Sequence, residues 1–355
     1  MKTVLLLLML LGFFCACTSN LLLGDQVSLK KVAPFPVGTA ASYRQLSADD
    51  SIRSILIREF NSITPENEMK MFRIMPRPGE YNFEQADSIA AFCARHDMRL
   101  FGHTLVWHSA TPQWVTEAGH DSTSLSALLN EYITTYVSRY KGQVHGWDVV
   151  NEAITDSAGT MRETFWYKML GESYIDQAFI AAHEADPNAV LFINDYNTER
   201  DTVKLNATID LINRLKSRGV PVSGIGLQMH LRMDIPNEII AHSLRKAAET
   251  GLMVHISELD IIFNRHNDKQ GGGEQIHKTL TSEMAQQQGE KYNHVAELYR
   301  NIVPEGQQYG ITVWGFNDRT SWIKPFFEIN DWPTLYDTGL KRKPAYYGLL
   351  NGISD

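Results

Sequence analysis

Two glutamates, Glu152 and Glu258, each close a short apolar run: Trp147-Asp148-Val149-Val150-Asn151-Glu152-Ala153 and His255-Ile256-Ser257-Glu258-Leu259-Asp260. Strands that each deliver a carboxyl at their C-terminal end can set the pair facing across a cleft. Two facing carboxyls are the minimal equipment for cleaving a glycosidic bond. The histidines nearby suit a metal poorly. His103 and His108 lie five apart along an apparent strand, which puts the imidazoles on opposite faces, and no H-E-x-x-H helix occurs. Neither a metal nor another cofactor is expected.

Carboxyls placed this way need a rigid frame. Apolar runs at residues 37–41, 62–64, 100–106, 144–150, 190–193, 222–227, 254–256 and 311–314 alternate with segments of helical period. Leu125, Leu128, Leu129, Tyr132, Ile133, Tyr136, Val137 and Tyr140 follow the i, i+3, i+4, i+7 rule. Another helix runs through Tyr174, Ile175, Ala178, Phe179 and Ala182 and is stopped by Pro187. Ser47 with Asp50 predicts a helix start before Ile52. Eight strands alternating with helices give the α/β class and a single (β/α)8 TIM barrel. An open doubly wound sheet is the rival, but Gly38-Thr39-Ala40-Ala41 after the first strand offers no phosphate loop.

In such a barrel the site forms where the strands end. Polar and aromatic residues collect at those points: Glu66-Asn67-Glu68-Met69-Lys70, His103 with Trp107-His108, Asn151-Glu152, Asn194-Asp195-Tyr196-Asn197, Gln228-Met229-His230, Glu258-Leu259-Asp260 and Trp314. The strings ENEMK (66–70), GHTLVWH (102–108), WDVVNEA (147–153), LFINDYN (191–197), GIGLQMH (224–230), SELD (257–260) and WGFNDRTSW (314–322) resemble the motif series of the family 10 glycoside hydrolases, mostly endo-β-1,4-xylanases. The resemblance runs from about residue 35 to Leu350 and implies a retaining hydrolase acting on xylan. It implies Glu152 as general acid/base and Glu258 as nucleophile, supported by Asn151, His230 and Asp260. Glu66, Asn67, Lys70, His103 and Gln228 match its polar sugar contacts, and Trp107, Trp314 and Trp322 its aromatic walls. Trp114, Trp147, Trp166 and Trp332 are read as packing residues. Met71, Arg319 and the loop from Arg265 to Gln275 depart from the pattern.

The first twenty residues read as an exported leader. Lys2 precedes an apolar run from Val4 to Phe14, and small residues follow. Cys17-Thr18-Ser19-Asn20 offers a lipoprotein acceptor cysteine, so periplasm, cell surface and medium are all open destinations. Residues 21–34 form a short lead-in and 35–355 the catalytic domain. Outside the leader only Cys93 remains, inside an apolar helical pattern that suits a buried thiol. The formal charge of −8 comes with no basic patch, so nucleic acid is not an expected partner. The expected partner is xylan or a xylo-oligosaccharide, met by a monomer. A barrel hydrolase of β-1,4-glucan or mannan and a non-catalytic xylan-binding barrel are the rivals.

Overall fold

The computed structural model describes residues 27–156 and 158–354, so the leader and Cys17 lie outside the described residues. Its strands are β1 (Val37–Ala41), β2 (Ser62–Pro65), β3 (Arg99–Trp107), β4 (Val144–Asn151), β5 (Val190–Asp195), β6 (Gly224–Leu227), β7 (Met253–Ile262) and β8 (Gln308–Val313). Each pairs in parallel with its neighbour in the chain, and β8 pairs with both β7 and β1. That last pairing closes the barrel and excludes the open sheet. Helices α1 (Asp50–Glu59), α2 (Glu84–Arg95), α3 (Ser122–Arg139), α4 (Ser173–Ala185), α5 (Thr202–Ser217), α6 (Asn237–Glu249), α7 (Ser282–Ile302) and α8 (Pro344–Ile353) fall between and after the strands.

Most boundaries follow the apolar pattern. On α3, Leu125, Leu129, Tyr132, Ile133, Tyr136 and Val137 are the buried stripe. The start of α1 differs. Asp49, not Ser47, is the cap, accepting from the Ile52 N–H at 3.0 Å. Ser47 lies inside an earlier helix, Tyr43–Ala48, which Ser42 and Gln45 close as a reciprocal capping box. Strand β6 begins two residues later than the periodicity predicts; the Val222 N–H turns back to Val220 O at 2.8 Å instead of joining the ladder. Strand β7 runs on to Ile262, where Asp260–Ile262 pair with the short strand His230–Arg232. Cys93 is buried on α2, and burial pushes its thiol up to about 12, which leaves it inert.

The barrel interior changes character along its axis. Towards the strands' N-terminal ends Phe101, Phe192, His255 and Tyr309 pack ring against ring, with centroids 4.7 Å apart for Phe101–His255 and for Phe192–Tyr309. Two residues further on, the same strands carry His103, Asn194 and Ser257, all buried. Glycines on β4 and β6 make room for large groups from β5 and β8. A Cβ on Gly146 would lie 2.5 Å from the Tyr309 hydroxyl, one on Gly224 2.3 Å from the Phe192 ring, and one on Gly226 2.3 Å from Asn194 Oδ1. Gly226→Ala is therefore expected to destabilise the barrel by about 1–3 kcal/mol through overpacking. Denaturant unfolding measures this, and an unchanged midpoint would contradict the close fit.

Candidate active site

Strict alternation would send neighbouring residues to opposite faces, yet the cleft collects residues at odd spacings. Bulges explain how. Between His103 and Val106 strand β3 spends three residues against two on β4, and between Asp148 and Val150 strand β4 spends two against one on β5. Strand β7 spends three residues from Ile256 to Leu259 against two on β8. Each bulge sits near a strand's C-terminal end and re-aims the side chains beyond it. Asp148 and Asn151 thus both reach Asn194, and so do the consecutive Ser257 and Glu258.

Glu258 is 4 % exposed and held on both oxygens. Asn194 Nδ2 donates to Oε1 at 2.8 Å, and His230 Nε2 lies 3.4 Å from Oε2. Behind the imidazole, Asp260 Oδ2 is 3.0 Å from His230 Nδ1 and accepts from the Trp322 indole N–H at 2.8 Å. Burial alone would raise the Glu258 pKa. His103, His230 and Asn194 outweigh it and hold the carboxyl below the usual glutamate range. Burial likewise opposes the charged form of His230, but Asp260 and Glu258 raise it well above the ordinary histidine value. The ring is an imidazolium clamped between two carboxylates.

Glu152 faces the opposite pressure. It follows β4 in the left-handed backbone region, with φ 59°, which a non-glycine residue adopts only when its surroundings fix it. Asn194 O accepts from its N–H at 2.9 Å, and Arg162 Nε donates to its carbonyl at 3.0 Å. Its carboxyl receives only long contacts, 3.4 Å from Asn151 Nδ2 and 3.5 Å from Gln228 Nε2. Burial raises its pKa, and the charges of Asp195 and Glu258 add to this. The nearby Trp107 indole N–H opposes the rise without reaching hydrogen-bond geometry.

A cleft of about 540 Å³ across the barrel mouth brings Glu66, Asn67, Lys70, His103, Trp107, Asn151, Gln228, His230, Trp314 and Trp322 together with both glutamates. Asp260 stands behind His230, outside the lining. Lys70 Nζ reaches Asn67 Oδ1 at 3.1 Å and lies 5.0 Å from the Trp107 ring centre, while burial lowers its pKa against the pull of Glu258 and Glu66. His103 Nδ1 pairs with Asp148 Oδ2 at 2.8 Å. Burial pushes Asp148 up to about 6, with His103 opposing. Ligand atoms of His103, Asp148 and Glu258 lie within 4.8 Å of one another, and this cluster reads as a hydrogen-bonded support, since Asp148 and Asn194 already engage its members.

Several working residues carried no sequence signal strong enough to single them out. Asn194 bridges Asp148, Asn151 and Glu258, yet in sequence it is one polar residue at an apolar strand's end. Trp322, read as a wall, also orients Asp260. The loop without a counterpart adds His266 and Asp268 to the cleft, and Phe326 and Phe327 join from beyond β8. Instead of a free loop it forms a two-stranded ribbon, Arg265–His266 against Gly273–Glu274, with His266 stacked on Phe327 at 4.1 Å. Of the other departures, Met71 is buried in the core and Arg319 pairs with Asp49 at 2.9 Å, so neither lines the cleft. Trp147 and Trp166 are buried packing residues as expected.

A closed eight-stranded barrel whose mouth sets two unequally tuned carboxyls among indoles and amides defines the class of glycoside-cleaving barrels. The chain belongs to glycosyl hydrolase family 10, whose profile it matches over residues 27–352. It is 37% identical to endo-1,4-beta-xylanase B of Paenibacillus barcinonensis over 324 residues, covering 89% of this chain and 95% of that one. A beta-1,4-xylanase of Dictyoglomus thermophilum is 36% identical over 353 residues, covering 97% of both chains. Among solved structures, xylanase 10B from Thermotoga petrophila in complex with xylobiose superposes with a TM-score of 0.84 at 35% identity, covering 92% of this chain and 97% of that one.

Proposed function

We propose that the protein is an exported endo-β-1,4-xylanase that works by double displacement with retention, Glu152 serving as general acid/base and Glu258 as nucleophile. The observation that carries the roles is the opposite tuning of the two carboxyls. A carboxyl whose pKa is raised holds a proton to give to the leaving oxygen, and one whose pKa is lowered stays charged to attack. Glu258 attacks the anomeric carbon as Glu152 protonates the departing oxygen, which leaves a glycosyl ester on Glu258. Glu152, now a carboxylate, takes a proton from water as the water attacks the same carbon and frees Glu258. Asn151, beside Glu152, is the amide suited to the sugar 2-hydroxyl, a bond that strengthens as positive charge builds on the ring. The indoles of Trp107, Trp314 and Trp322 offer flat faces to pyranose rings.

The likeness to xylanases along almost the whole chain supports xylan as substrate. Initial rates on xylan, carboxymethylcellulose and mannan test it. Xylan should be hydrolysed fastest; a preference for either other polymer would reassign the substrate. A bound but uncleaved xylan would instead mark a non-catalytic barrel.

The same tuning predicts a bell-shaped dependence of kcat/KM on pH. Activity is lost towards acid as Glu258 gains a proton and towards base as Glu152 loses one. His230→Asn removes the positive ring that helps to hold the Glu258 pKa down. Burial then dominates, the pKa rises, and the acidic limb should move to higher pH while the basic limb stays near its place. An unmoved acidic limb would show that His230 does not set the charge of Glu258.

A further inference from the structure

Behind Glu152 lies a set of buried charges that the two-glutamate chemistry does not use. Lys204 stands in the first turn of α5 with its side chain fully buried. Its ammonium is 2.8 Å from Asp195 Oδ1, also fully buried, and 3.0 Å from Asp156 Oδ1, and it lies over the Tyr196 ring at 3.6 Å. The first turn of a helix is the wrong end for a positive charge. A buried ion pair also adds little to a fold, because desolvating it costs about what the pairing returns. Packing of α5 therefore does not call for a lysine here.

The partner of Lys204 leads to Glu152. Asp195 ends β5, and its Oδ2 accepts from the Ile154 N–H at 3.1 Å, two residues beyond Glu152. Arg162 completes the clamp, donating to the carbonyls of Glu152 at 3.0 Å and Ile154 at 3.1 Å and to the Tyr196 hydroxyl at 3.1 Å. Asp195 also supplies charge. After burial it does most to raise the Glu152 pKa, ahead of Glu258, with the Trp107 N–H and Arg162 opposing. Lys70 after β2 and Tyr196 after β5 feel the same carboxyl. His108, near Arg162 and Lys204, is pushed by burial down to about 4 and carries no charge at neutral pH. Glu199 and Tyr174 are the other titratable neighbours of the pair, and burial raises both, Glu199 to about 7. The Asp195 charge is not secure by itself. Burial raises its pKa, and Lys204 is the chief force against this, ahead of the Ile154 N–H and Arg162.

Resting on the reading of Glu152 as acid/base, we infer that Lys204 is a positioning residue for the reaction: it keeps Asp195 a carboxylate, and through Asp195 it fixes the turn at Glu152 and holds the proton there. The sign of the effect separates this role from simple attraction. Removing a positive charge near Glu152 would by itself raise its pKa. Removing Lys204 should lower it, because the buried Asp195 then takes up a proton and its larger influence disappears.

The test is the pH dependence of kcat/KM on xylan for the native protein, Lys204→Met, Asp195→Asn and the double variant. Lys204→Met should move the basic limb to lower pH by about one unit, with the acidic limb near its place. On an aryl xyloside with an acidic phenol, whose first step needs no proton, kcat/KM should be nearly unaffected. Asp195→Asn should move the basic limb in the same direction by at least as much. The double variant leaves no buried charge unpaired in this couple, so it keeps the test open if Lys204→Met does not fold. Its basic limb should lie no lower than that of Asp195→Asn, since Lys204 has nothing left to act through. A limb that stays or moves to higher pH in either single variant, equal losses on both substrates, or a double variant shifted below Asp195→Asn would each overturn the role of Lys204. A native protein that leaves xylan uncleaved would instead overturn the xylanase reading, and the inference with it.

Discussion

Glu258→Ala should lower xylan hydrolysis by roughly 10⁵-fold or more, the scale seen when an enzyme loses its nucleophile. The side chain is buried, its two oxygens are held by Asn194 and His230, and its charge is favoured by His103 and His230. None of the surrounding groups can replace it. Asn194 offers an amide, and His230 as an imidazolium has no lone pair to attack with. The variant should still bind xylo-oligosaccharide, because Lys70, Asn67, Gln228 and the indole walls are untouched. Added azide should restore turnover and release a glycosyl azide of inverted configuration, since a single displacement then replaces two. Xylan hydrolysis by Glu258→Ala near the native rate would remove Glu258 from the chemistry.

Glu152→Ala should separate substrates by their leaving groups. On xylan the departing sugar oxygen needs a proton, and the loss should be roughly 10²–10⁴-fold, the usual worth of general acid–base catalysis. On an aryl xyloside with an acidic phenol the departing oxygen needs none, so formation of the glycosyl-enzyme should be nearly unaffected. Its breakdown should slow, because no base activates water, and KM should fall as the intermediate accumulates. Azide, needing no base, should speed that step and give the retained β-azide. Equal losses on both substrates, with no effect of azide, would contradict the proton-carrying role.

The architecture was largely legible because burial on both faces writes parallel strands as apolar runs, and all eight runs correspond to barrel strands. The two glutamates were legible because each ends such a run. Their unequal roles were legible only through the family resemblance, since the physical cause lies in what the fold brings together: Asp195 and Glu258 near one carboxyl, His103, His230 and Asn194 near the other. Bulges were also hidden, and they decide that Asp148, Asn151, Ser257 and Glu258 all converge on Asn194. A period of two cannot announce its own interruption. The ribbon after β7 was the hardest part, because its order comes from partners far away in sequence: Arg200, Asn197 and Phe327.

A mechanism-based trap tests the central claim most directly. In a 2-deoxy-2-fluoro-xylobioside with a good leaving group, the fluorine opposes the positive charge that builds on the ring and slows both steps. The leaving group restores the first, so a covalent intermediate should build up. Mass spectrometry of the intact protein should show one added fluoroxylobiosyl unit, and peptide mapping should place it as an ester on Glu258. An adduct on Glu152 or another residue, or steady turnover of the trap with no adduct, would contradict the account.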